Sequence, residues 1–262
     1  MHSSLFLLAG LSSLASALPN AKTGLTKRDT TLIPTSCFDS TSTLTEYFNY
    51  NYPWGDTHNG AAIMSSANAV ISTPGTLTLN ATYTGNSDYA YDSGTVYAKQ
   101  SFTVEESGGL DFSADFLAPV ALGTWPAFWL DGVNSWPPEV DIAEWKGDGE
   151  ISFNTFNTSS IVEAVNVDYP DATEFHTVKA EFRDENGSDV SIKFYLDGTL
   201  ITTQYASGLT GQPLYLIIDF QMEGSSGSPG PTGSKYYLPL QKSYMKLIYH
   251  SHILQNQESG GG

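Results

Sequence analysis

Short runs of β-branched and aromatic residues recur along the chain, separated by clusters of Gly, Asn, Asp and Pro. Residues 77–83 (LTLNATY), 94–102 (GTVYAKQSF), 177–182 (TVKAEF) and 190–196 (VSIKFYL) have the length and make-up of β-strands. The cluster 183–188, with Asn186-Gly187 at its heart, joins the last two, and Asp197-Gly198 leads into 199–203. Both are hairpin signals, so this part of the chain is expected to be an antiparallel meander. No stretch keeps the i, i+3, i+4, i+7 apolar spacing between helix caps, which limits helix to a turn or two. No repeat with a period of 20–50 residues is seen. Residues 223–235 (EGSSGSPGPTGSK) read as a long loop and 258–262 as a disordered tail. The expectation is one all-β sandwich over residues 29–257.

The amino-terminal 28 residues do not fit that pattern. Residues 1–17 carry an apolar run followed by Ala15-Ser16-Ala17, which matches a secretory signal peptide and its cleavage site. The run is much shorter than the ~20 residues that a membrane span needs. Residues 18–28 end in Lys27-Arg28, a dibasic processing signal. The protein is therefore expected to be secreted, with a pro-peptide at 18–28. In that setting the three N-x-S/T triplets, at Asn80, Asn157 and Asn186, become candidate glycosylation sites. Cys37 is the only cysteine, so an internal disulfide is excluded and the core must supply the stability.

Composition narrows the partners. The 262 residues carry 28 acidic and 11 basic side chains, a net charge of −17. Removing residues 1–28 takes away three basic residues and no acid, leaving 234 residues at −20. Such a surface repels nucleic acid and anionic membranes, and a neutral partner suits it better. Hydrophobic residues reach 40%, enough for a large core. With no Gly-rich phosphate loop between a strand and a helix, no organic cofactor is expected. His250-Ser251-His252 has no third partner to complete a metal site, so none is assigned.

The chemistry gathers in one segment. Residues 123–130 read GTWPAFWL and 136–145 read WPPEVDIAEW. Glu139 and Asp141 are two apart and share a face of a strand. Glu144 would point the other way unless one β-bulge restores the phase, in which case all three carboxylates face the same side. Glutamates leaning inward on a curved sheet could then close to the ~5 Å that separates the carboxyl groups of a retaining glycosidase. Three carboxylates on one partly buried face must spread their pKa values, leaving one ionised and another protonated. Trp125, Trp129, Trp136 and Trp145 crowd around the acids. Of these, Trp125 and Trp145 are expected at the site as platforms for a sugar ring, whereas Phe128 is expected in the core. A solvated acidic strand, a metal site and a non-catalytic lectin remain alternatives at this level.

These residues closely resemble glycoside hydrolase family 16, whose catalytic pattern E-(I/L/V)-D-hydrophobic-(hydrophobic)-E is met by Glu139 to Glu144 in its longer, bulged form, that of the laminarinase-type branch. Weaker matches at Ser93-Gly94, at Phe175-His176-Thr177 and at residues 192–198 extend the resemblance over about residues 35–255. It implies a concanavalin A-like jelly roll of two curved antiparallel sheets with a concave cleft. It implies Glu139 as nucleophile, Asp141 as its assistant and Glu144 as acid/base. It places Trp125 and Trp129 along the cleft and, with them, Asn59. The next strand, 151–156, departs from the family by offering Asn154 where a His is common, and His176 is a further candidate for the site. A structural calcium ion is compatible with the family, with no ligands identified. The expected activity is endo-hydrolysis of a neutral polysaccharide with retention, most readily a β-1,3- or β-1,3(1,4)-glucan. A β-1,3-galactan, transglycosylation and a lectin role are the alternatives, and the protein is expected to be a monomer.

Overall fold

The computed structural model describes residues 31–223 and, by backbone alone, 242–248. The expected signal peptide, pro-peptide, carboxy-terminal tail and His250-Ser251-His252 lie outside the described residues, as does the 223–235 loop apart from Glu223. The strands are β1 (Phe48–Tyr50), β2 (Ala62–Met64), β3 (Ala69–Thr73), β4 (Thr76–Tyr83), β5 (Tyr91–Ser93), β6 (Thr95–Ala98), β7 (Gly109–Leu117) and β8 (Thr124–Gly132), then β9 (Glu139–Glu144), β10 (Glu150–Thr158), β11 (Ile161–Asp168), β12 (His176–Asp184), β13 (Val190–Leu196), β14 (Thr199–Ala206), β15 (Leu214–Met222) and β16 (Lys242–Ile248).

They form two layers. A seven-stranded sheet runs β1-β6-β15-β8-β9-β10-β11, and the second runs β14-β13-β12-β7-β16-β4-β5-β2 with β3 paired to β4. Every described pairing is antiparallel except that of β2 with β5. The expected jelly-roll sandwich is the observed one. Among the described residues the single α-helix, α1 (Thr41–Tyr47), starts at a capping box in which Ser40 and Thr43 satisfy each other's backbone N–H.

The β12–β13–β14 meander follows the hairpin signals. Asp197 and Gly198 both take positive φ, as a two-residue turn requires. One expected strand is shorter: β6 stops at Ala98, and Phe102 reaches the core through an isolated bridge to Leu214. Pairing with β15 extends only over Thr95–Tyr97 and pairing with β1 stops at Ala98.

Strand alternation builds both the core and the site. On β8, Phe128 and Leu130 are fully buried between the layers; on β9, Val140, Ile142 and Ala143 join them, as do Ile151 and Phe153 of β10. The opposite face of the same three strands carries Trp125, Trp129, Asp131, Glu139, Asp141, Glu144 and Phe156, which line a cleft of about 560 Å³. Packing one face thus fixes the positions of the polar side chains on the other.

Candidate active site

Register across β9 shows how its acids come into line. Phe128 pairs with Ala143 while its neighbour Trp129 pairs with Asp141, so Ile142 is an extra residue. On the other side, Ser152 faces Glu144 and Asn154 faces Asp141, two steps of β10 against three of β9. This is the β-bulge that the spacing required. Its result is that Asp141 and Glu144, with Glu139, project into the cleft although 141 and 144 differ in parity.

Each carboxylate has its own donors. Trp136 Nε1 donates to Glu139 Oε2 at 2.6 Å. Asn154 Nδ2 donates to Asp141 Oδ2 and to Glu144 Oε2, both at 2.8 Å, and so ties the two acids together from the next strand. Glu144 also accepts from Trp125 Nε1 at 2.7 Å and pairs with Lys146 Nζ at 2.9 Å. A fourth acid, Asp219 of β15, accepts from Tyr52 Oη at 2.6 Å and from Trp129 Nε1 at 3.1 Å, which holds the Trp129 ring against the cleft wall.

The electrostatics follow from burial with few cations. Burial, reinforced by the charges of Asp131 and Glu144, pushes Glu139 up to about 7, against the hydrogen bonds from Trp136 and Asp141. Burial and the two flanking glutamates hold Asp141 well above the ordinary carboxyl range. Burial lifts Asp131 to about 6, and burial with the charge of Glu144 lifts Asp219 to about 7 in spite of its two donors. The row therefore retains protons at neutral pH. His58 moves the opposite way: burial lowers it to about 4, so its imidazole is neutral.

Aromatic rings wall the cleft at both ends. Trp54 stacks on Tyr52 with ring centres 5.3 Å apart, and His58 lies 5.5 Å from Trp129. Gln221 anchors this loop, accepting from Ala62 N at 2.9 Å and donating to the His58 carbonyl at 3.1 Å. At the other end Trp136 is half exposed, with its ring 6.1 Å from that of Phe156. Gly132 lets the loop bearing Trp136 fold back onto the end of β8. A Cβ there would meet the Ser135 carbonyl oxygen at 2.2 Å and Pro138 Cδ at 2.9 Å.

Not every expected residue is at this site. Trp125, Trp129, Asn59 and the three acids line the cleft, and Asn154 reaches it through its hydrogen bonds. Trp145 does not: it follows Glu144 directly and faces the opposite side of the strand. It is fully buried between Phe116 and Tyr169, 5.3 and 5.5 Å away. His176 is also elsewhere, on β12 of the other sheet. Its Nδ1 bonds Asp197 at 2.8 Å and its Nε2 the Asp171 carbonyl at 2.9 Å, so it clamps a loop to the sheet. Among the described residues no group of three or more His, Cys, Asp or Glu side chains is arranged to hold a metal ion.

Residues absent from the sequence reading complete the cleft: Trp54, His58, Asp131, Lys146 and Asp219. Asp219 left a trace, as a lone acid inside the apolar run of β15 (LYLIIDFQM). Such an acid is costly in a core strand and so marks a site.

The sequence model described as "Glycosyl hydrolases family 16" matches residues 57–222, which span the cleft. The galactan endo-beta-1,3-galactanase of Flammulina velutipes is 49% identical over 219 residues, covering 79% of this chain and 86% of that protein. The endo-1,3-1,4-beta-glycanase ExsH of Rhizobium meliloti (strain 1021) is 28% identical over 193 residues, or 70% of this chain and 38% of that protein. Among solved structures, the endo-1,3-beta-glucanase of Streptomyces sioyaensis superposes with a TM-score of 0.65 at 22% identity, over 92% of this chain and 98% of that one. The laminarinase catalytic domain of Thermotoga maritima MSB8 gives 0.62 at 19% identity, over 81% and 92%. These structural likenesses concern the fold.

Proposed function

The chain belongs to glycosyl hydrolases family 16 and is an endo-acting β-glycanase, and from that premise we propose that it cleaves β-1,3-galactan with retention, through Glu139 and Glu144. The observation that carries the chemistry is the bulged β9, which presents three carboxylates to one cleft with Asn154 bridging two of them. The 49% identity to a β-1,3-galactanase moves the sugar from the glucan suggested by the motif to galactan.

In this reading Glu139 attacks the anomeric carbon while Glu144 protonates the departing oxygen; Glu144 then takes a proton from the water that releases the glycosyl-enzyme. Asp141 keeps the shared proton and donates it in a hydrogen bond to Glu139, preserving the nucleophile's charge. Lys146, Trp125 and Asn154 fix the position of the Glu144 carboxyl group for both steps. Trp125, Trp129 and Asn59 contact the sugars, with Trp54 and His58 extending the wall.

The enzyme is secreted as a monomer after loss of residues 1–17 and 18–28, leaving one catalytic domain at 29–257. Of the three glycan acceptors, Asn186 lies exposed in a loop, and among the described residues its amide bonds only to Ser188 and Asp189 within that turn. Asn157 Nδ2 donates to the Tyr205 carbonyl at 2.9 Å and its Oδ1 accepts from the Ser207 N–H at 2.7 Å, so a glycan on Nδ2 would compete with the first of these bonds. Asn80 lies within β4.

The test is the release of reducing ends from β-1,3-galactan, laminarin and lichenan. The expected result is kcat/KM highest on β-1,3-galactan and lost in Glu139→Gln. Faster cleavage of laminarin would overturn the galactan assignment, and equal activity of wild type and Glu139→Gln would overturn the site.

A further inference from the structure

Asp131 is a buried acid that the reaction scheme leaves idle. It sits on β8 directly opposite Glu139 and is only 8% exposed. Two like charges facing each other across a strand pair destabilise the sheet, and burial adds its own cost. Little in the fold offsets this. Oδ1 accepts from the N–H of the next residue, Gly132, at 2.9 Å, but that same N–H also reaches the Pro138 carbonyl at 2.9 Å. Among the described residues Oδ2 accepts no hydrogen bond, and the side chain lines the cleft. A leucine or an asparagine would suit the empty fold better.

An unpartnered acceptor held at the floor of a cleft calls for a donor brought by the ligand. The same end of the cleft offers a half-exposed indole, Trp136, whose Nε1 is already committed to Glu139 and whose face remains available beside Phe156. A flat apolar surface next to a charged acceptor matches a pyranose ring, which has an apolar C–H face and hydroxyl groups at its rim. We propose that Asp131 is a substrate-binding and specificity-determining residue, accepting hydroxyl hydrogen bonds from the sugar that lies against Trp136 on the Glu139 side of the cleavage point. The proposal rests on the assignment of this cleft to a β-1,3-galactan.

Calorimetry tests it in a hydrolytically silent background. Glu144→Gln is titrated with β-1,3-galactotetraose and with laminaritetraose, and is compared with the double variants that add Asp131→Leu or Asp131→Asn. The expected result is an affinity about 10- to 100-fold weaker with Asp131→Leu, the range for losing hydrogen bonds to a charged group. Asp131→Asn, which keeps an acceptor oxygen in the same volume, recovers part of that loss. The melting temperature at pH 8 should rise in both double variants, because a buried carboxylate has gone. Affinity within twofold of the parent for Asp131→Leu would overturn the proposal while leaving the cleft assignment intact. So would a fall in melting temperature with unchanged affinity, which is the signature of a structural role. If the parent prefers laminaritetraose, the galactan assignment fails and the same comparison on that sugar decides the role of Asp131. A parent that binds neither sugar overturns the cleft assignment and this proposal together.

Discussion

The two sheets place acids on their outer faces in opposite ways. On the second sheet, β7 and β12 carry Asp111, Lys179, Glu181 and Arg183 side by side. Arg183 Nη1 bonds Asp111 at 2.6 Å, and Lys179 Nζ reaches Glu181 at 2.6 Å and Asp111 at 3.7 Å. Partial burial works against the Glu181 charge, but the hydrogen bond and charge of Lys179 bring its carboxyl below the ordinary range. Across the sandwich, β8, β9 and β15 bury Asp131, Asp141 and Asp219 and partly bury Glu139, and among the described residues Lys146 is the only lysine or arginine lining that cleft. Burial dominates there and all four carboxyls rise. The same residue types on similar strands thus serve two ends. Compensated acids hold a sheet together, whereas uncompensated ones give up stability for the spread of proton affinities that acid–base chemistry needs.

That contrast can be broken most forcefully at the acids themselves. Glu139→Gln or Glu144→Gln should lower kcat by about a thousandfold or more, the scale of losing a nucleophile or general acid, measured as initial rates on galactan. Asn154→Ala, which removes one amide serving two carboxylates, should lower kcat about 10- to 100-fold with KM little changed. An unaltered kcat in Asn154→Ala would mean that Asp141 and Glu144 hold their places without it.

Stability should show the same asymmetry. A carboxyl whose folded pKa lies above its unfolded value binds its proton more tightly when folded, so it stabilises as pH falls and destabilises above the folded pKa. For Glu139, raised from 4.5 to about 7, the window is pH 4.5–7. The protein should therefore melt at a higher temperature at pH 5 than at pH 8. Glu139→Gln should raise the melting temperature at pH 8 by roughly 2–8 °C and much less at pH 5. A melting temperature that climbs from pH 5 to pH 8 would contradict the burial argument. The smallest effect belongs to the compensated face. Lys179→Met should cost about 1 kcal/mol or less in chemical denaturation and leave kcat unchanged.

What could be read from the sequence was local. The bulge followed from the parity of 139, 141 and 144, because a strand face is a matter of counting. Phe128 is expected in the core and lies there, fully buried. The same counting, carried one residue past Glu144, puts Trp145 on the core side, where it lies, and strand position rather than indole chemistry decides its place. Asp219 and His58 come from segments far along the chain and reach the cleft through the pairing of β15 with β8 and through Gln221, which no local pattern reveals. His176 had a polar signature suited to a site, but its partners Asp171 and Asp197 are supplied by neighbouring turns.

The division of labour between the two glutamates is the centre of the account, and azide rescue tests it directly. With an activated aryl β-galactoside of suitable length, Glu139→Gly in azide should give the α-glycosyl azide, because the anion enters the space left by the nucleophile. Glu144→Gly should give the β-azide, formed from the glycosyl-enzyme still built on Glu139. NMR assigns the anomers. The reverse pairing, a β-azide from Glu139→Gly and an α-azide from Glu144→Gly, would contradict the assignment.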